Sequence, residues 1–105
     1  MDYKQLHTTA IAELKQYNDL AVSIDQKDRD KAAIIRAAIL STSEKEQFAL
    51  EQFFINNEEG RRNGHTDKIM SKFGLSRTEL YRLRDSALTN YCFAMIIAVL
   101  GGTQE

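Results

Sequence analysis

The segment Phe73–Arg84 reads FGLSRTELYRLR, and its side chains have the chemistry needed to read a DNA groove. Arginine, here at 77 and 82, carries a planar fork that bonds guanine at two points in the major groove. Thr78 suits a thymine methyl or a phosphate, and Tyr81 suits stacking on a sugar or a phosphate bond. Ser76 would set the start of the helix that carries them. Lys68, Lys72, Arg84, Arg61 and Arg62 flank this face, and suit contacts to the phosphate backbone. The first set (Ser76, Arg77, Thr78, Tyr81, Arg82) is the candidate base-reading group, and the second is the candidate phosphate-holding group.

The charge distribution agrees. The chain's formal charge is −1, but residues 61–84 hold seven Lys/Arg against Asp67 and Glu79, a local net of +5. Residues 1–60 carry a net of −4 and residues 85–105 a net of −2. Positive charge focused in this way is the electrostatic footprint of polyanion binding.

Two helices must hold those side chains. A short helix is expected from about Thr66, its cap, to Phe73. Gly74 takes the left-handed conformation that ends a helix sharply. Ser76 and Glu79 form a capping-box pair, and Leu75 and Leu80 occupy the positions of a hydrophobic staple. Leu75, Leu80, Leu83 and Ala87 then face inward against Ile69 and Phe73. Ser76, Arg77, Thr78, Tyr81, Arg82 and Asp85 are left on the opposite side. This is the layout of a helix-turn-helix.

The residues TDKIMSKFGLSRTELYRLRDSAL resemble the helix-turn-helix of region 4 in bacterial sigma factors. With the preceding AILSTSEKEQFALEQFF, the stretch from about Ala37 to Met95 is similar to the small sigma-like regulators of Gram-positive phages, the ArpU and RinA type. That resemblance implies a phage or prophage transcriptional regulator acting on promoter DNA. Two positions depart from the family pattern. Met70 stands where such motifs usually carry alanine or another small residue, and the Asn56–Gly64 loop is longer than in ordinary sigma region 4. No element matches the part of a complete sigma factor that binds the polymerase core.

The rest of the chain reads as helix, giving an all-α fold of about five helices with the helix-turn-helix towards the C-terminus. Proline, the strongest helix breaker, is absent. Tyr3, Leu6, Ala10, Leu14, Tyr17, Ala21 and Ile24 recur at steps of three and four, predicting a first helix over about 3–24. A second, from about Asp28 to Leu40, is apolar on more than one face and is expected to be buried. A third follows Ser41-Thr42-Ser43, where Ser43/Glu46 and Ser41/Glu44 are competing capping boxes. It runs to about Ile55 and buries Phe48, Leu50, Phe53 and Phe54. The fifth helix continues to Leu100, where Gly101-Gly102 stops it. Residues 1–40 form an N-terminal helical pair for packing or dimerisation, and residues 41–105 the sigma-region-4-like part.

The run Cys92–Leu100 is apolar on every face and must be covered. The N-terminal pair or a second copy could cover it. A homodimer is expected, because five helices with this much apolar surface exceed what a 105-residue core usually hides. The run is nine residues, half of the ~18 that suggest a membrane span. Met1-Asp2-Tyr3-Lys4 lacks the pattern of a signal peptide, and a single cysteine fits a reducing compartment, so a cytoplasmic protein is expected.

Catalytic chemistry is not expected. His7 and His65 lie among no cysteines or carboxylates at metal spacing, so no metal or other cofactor is expected. Cys92 sits between Tyr91 and Phe93 as a small core residue without a histidine partner. The expected partner is double-stranded DNA. Two alternatives remain: a helical adaptor whose basic hairpin binds an acidic protein, such as an RNA polymerase subunit or a repressor, and a small phage packaging protein of the terminase small-subunit type.

Overall fold

The computed structural model describes the backbone of residues 3–55 and 63–102, and the side chains of 4–55 and 66–98. Within these the protein is all-α. Its helices are α1 (Tyr3–Ala21), α2 (Gln26–Leu40), α3 (Glu44–Leu50), α4 (Asn63–Phe73) and α5 (Arg77–Gly102). A π-helical turn, Glu51–Ile55, extends α3.

The first helix stops a turn earlier than its apolar spacing predicts. The Ser23 hydroxyl donates to Asp28 Oδ2 (2.8 Å) and accepts from the Asp25 amide (3.1 Å), drawing the chain out of the helix. Asp25 then caps α2, its carboxylate accepting from the Lys27 amide at 2.9 Å. The Arg29 guanidinium closes the turn on the carbonyls of Ser23 and Ile24 (3.1 and 3.3 Å). Ile24, expected on the buried stripe, is consequently 97 % exposed.

Helix α2 is buried on one stripe only. Ala32, Ile35, Ala38 and Ile39 are covered, while Ala33, Ile34, Ala37 and Leu40 are exposed. Its alanines make both faces look apolar in sequence, although they offer little surface to bury. Ser41 and Thr42 end α2 by donating to the carbonyls of Ala38 (2.7 Å) and Ile39 (2.6 Å). Ser43, not Ser41, starts α3, with the reciprocal bonds of a full capping box.

The expected cap at Thr66 is not used, because α4 begins at Asn63 and Thr66 lies inside it. A glycine costs a helix only about 1 kcal/mol, so Gly64 did not prevent that extension. Helix α5 ends at Gly102, two residues past the expected last residue Leu100. Of the expected aromatic core on α3, Phe54 is buried whereas Phe48 and Phe53 are half-buried.

Helix α5 packs against α1, α2 and α3. The principal core joins Ala10 and Leu14 of α1, Ile35, Ala38 and Ile39 of α2, and Leu50 and Phe54, to Ala87, Leu88 and Tyr91 of α5. The N-terminal pair thus covers one face of the apolar stretch of α5, and Phe93, Ile96 and Ile97 stay exposed.

Tyr91 is fully buried, and its hydroxyl has no hydrogen-bond partner among the described residues. Burial, reinforced by the negative charge of Glu13, pushes its pKa far up, so the phenol stays neutral. An unpaired buried hydroxyl costs free energy. Tyr91→Phe is therefore expected to raise the unfolding free energy by about 1 kcal/mol in urea titration. A loss of stability would contradict this account of the hydroxyl.

Candidate nucleic-acid interface

The candidate interface is built from α4, the turn Gly74–Ser76, and the first turns of α5. Gly74 has φ +64, and a Cβ added there would meet nothing within 4 Å. The glycine is needed for its left-handed backbone rather than for space. The Leu75 amide reaches back to the Met70 carbonyl at 3.0 Å, the long bond of a Schellman stop. Ser76 then opens α5. Its hydroxyl accepts from the Glu79 amide (3.2 Å), and its own amide donates to Glu79 Oε1 (3.1 Å). The box predicted from the sequence is present in both directions. It holds the Glu79 carboxyl below its ordinary range, first through the Ser76 amide and hydroxyl, against slight desolvation, and then through the charges of Arg82 and Lys45.

The two faces of α5 divide as expected. Ile69, Leu80 and Ala87 are fully buried, with Phe73, Leu75 and Leu83 half-buried. Ser76, Arg77, Thr78, Tyr81, Arg82 and Asp85 all face solvent, as do Lys68 and Lys72. Arg84 is half-buried and engaged. Its Nε and Nη2 donate to Asp85 Oδ1 (3.2 and 3.1 Å), and its guanidinium lies over the Tyr81 ring, 5.0 Å from the centroid. Arg84 thereby covers part of the Tyr81 ring, and part of its charge is balanced by Asp85. Arg61 and Arg62 lie outside the described residues.

The chain matches no protein-family model, no curated protein and no solved structure. The site is therefore read from its own geometry.

That geometry contains groups that local sequence patterns do not show. Glu46 is only 7 % exposed, and its second oxygen, Oε2, accepts from Ser86 Oγ (2.9 Å) and Asn90 Nδ2 (2.6 Å). The capping-box partner of Ser43 is thus also the polar bolt between α3 and α5. Burial pushes its carboxyl up, but the hydrogen bonds from Ser43, Ser86 and Asn90 outweigh burial and hold it below the ordinary value. The only sequence signal was the polar pair Ser86 and Asn90, one helical turn apart beside the buried stripe.

Lys45 is the second such group. Phe48 and Phe73 meet edge to face, with ring centroids 5.6 Å apart. The Lys72 ammonium sits 5.0 Å from the Phe48 centroid, and the Lys45 ammonium 5.7 Å from that of Phe73.

The remaining reactive side chains have quiet surroundings. His7 Nε2 lies 2.9 Å from Thr89 Oγ1, and Cys92 Sγ contacts the Leu6 carbonyl at 3.5 Å. Burial, then the charge of Glu13, pushes the Cys92 thiol up and away from the reactive thiolate. Among the described residues no three His, Cys, Asp or Glu side chains gather as metal ligands, and no helix is long and apolar enough to cross a membrane.

Proposed function

We propose that this chain is a sequence-specific double-stranded DNA-binding transcriptional regulator of the phage or prophage type, acting in the cytoplasm without catalysis. The observation that carries this reading is the joint exposure of Arg77, Thr78, Tyr81 and Arg82 on the first turns of α5, above a leucine anchor. In this reading α5 enters the major groove by its N-terminal end, as recognition helices do. Ser76 sets the approach, and Lys68 and Lys72 hold phosphates alongside Arg61 and Arg62. The resemblance to sigma region 4 supports the same assignment.

Selection of preferred duplexes from a random pool, followed by binding titrations at two salt concentrations, tests it. Arg77→Ala or Arg82→Ala is expected to weaken binding to the preferred site by about 1–3 kcal/mol each and to relax selectivity there. Absence of binding to any duplex at low salt would refute the reading, and would leave the acidic-protein adaptor. A preferred site confined to packaging sequences would instead favour the packaging role.

A second copy of the chain is the partner we propose for the exposed Phe93, Ile96 and Ile97 of α5. A palindromic selected site and a dimer mass in sedimentation equilibrium are the expected results. A monomer at all concentrations would leave that face to another partner, with RNA polymerase the alternative.

A further inference from the structure

The basic surface does not end at α4 and α5. Lys45 lies on α3, outside the stretch in which positive charge is concentrated in sequence, yet its ammonium shares the Phe73 ring with that of Lys72. The two centroid distances are 5.7 and 5.9 Å. Both lysines are exposed, and it is the ammonium of each that lies over a ring face. Among the described residues neither ammonium is taken up in an ion pair. Glu46, next to Lys45 in sequence, spends its carboxylate on Ser43, Ser86 and Asn90. The carboxylate that Lys45 does influence is Glu79, in the first turn of α5, and Ser76 fastens it. Lys45 is thus a cation carried by α3 beside the start of the proposed recognition helix.

We propose that Lys45 and Lys72 form a two-ammonium clamp on the phosphate backbone of duplex DNA, with the Phe48–Phe73 pair as its platform. Ammonium groups already held over rings lose less freedom on binding than free ones, which is what makes a platform useful. The clamp rests on the DNA-binding reading and extends that interface from the α4–α5 unit onto α3.

The test is the salt dependence of binding to several unrelated duplexes by the full chain. Lys45→Met keeps an unbranched apolar side chain at this position and removes the charge. It is expected to make the slope of log K against log salt shallower by about 0.9 on every sequence, the signature of one lost phosphate contact. Lys45→Arg should retain the wild-type slope, and Lys15→Met, an exposed change on α1, should leave it unaltered. An unchanged slope for Lys45→Met, with a shallower one for Lys72→Met, would overturn the role of Lys45 and leave DNA binding standing. A Lys45→Arg slope as shallow as that of Lys45→Met would also overturn it, since the charge would not be what matters. Failure of the unmodified chain to bind duplex DNA at low salt would remove both readings together.

Discussion

Replacing Leu80 with alanine is expected to destabilise the protein by about 2–5 kcal/mol, a large share of the margin of a domain this size. Leu80 is fully buried beneath the first turns of α5, as Ile69 is on α4, and neither belongs to the principal core. The cavity would therefore open under the hairpin that presents Arg77 and Arg82. Amide exchange should quicken in α4 and the start of α5 more than in α2, and, under the proposed DNA-binding function, affinity for duplexes should fall on all sequences alike. Equal acceleration across α2 and α4 would show that the hairpin has no core of its own.

Glu46→Ala is the second large effect, expected at about 2–4 kcal/mol, because it removes a capping box and two charge-assisted bonds to α5. Glu46→Gln, which keeps the shape but not the charge, should cost less. The pH dependence separates the two contributions. Hydrogen bonding holds the folded carboxyl below its ordinary value of 4.5. The stabilisation linked to this charge is then fully present above that value and is lost as pH falls through the lower folded pKa. Urea midpoints of the native chain and of Glu46→Gln should accordingly converge as pH falls from neutral through the lowered carboxyl range. A constant gap would show that the ionised form is not what α5 recognises.

These two residues also mark what a sequence discloses. The Gly74 stop and the Ser76–Glu79 box are legible because their chemistry closes within a few residues, and the outward face of α5 follows from them by helical geometry. The first role of Glu46 is legible for the same reason. Its second role is not, since Ser86 and Asn90 lie 40 and 44 residues away. Lys45 is hidden likewise. Its neighbours in sequence are acidic, and only folding sets it beside Phe73. The end of α1 and the start of α4 are not legible in the sequence, because short polar side chains at 23 and 25 outcompete an apolar stripe, whereas a single glycine at 64 does not outweigh a helix. On α2 the exposed side carries Ile34 and Leu40 as well as Ala33 and Ala37, so apolar composition does not mark the buried stripe there.

The π-helical turn at Glu51–Ile55 has a consequence for how this chain tolerates change. In an ordinary helix, losing one residue rotates everything beyond it by about 100°, which scrambles the buried face. A π turn already holds one residue more than the α pattern needs. Deleting one residue there would return the segment to regular α-helical pitch. The price would be the bond between Asn18 Nδ2 and the Ile55 carbonyl, now 3.0 Å long, which ties the turn to α1. A one-residue deletion within Glu51–Ile55 is accordingly expected to cost less stability, in urea titration, than one within α3.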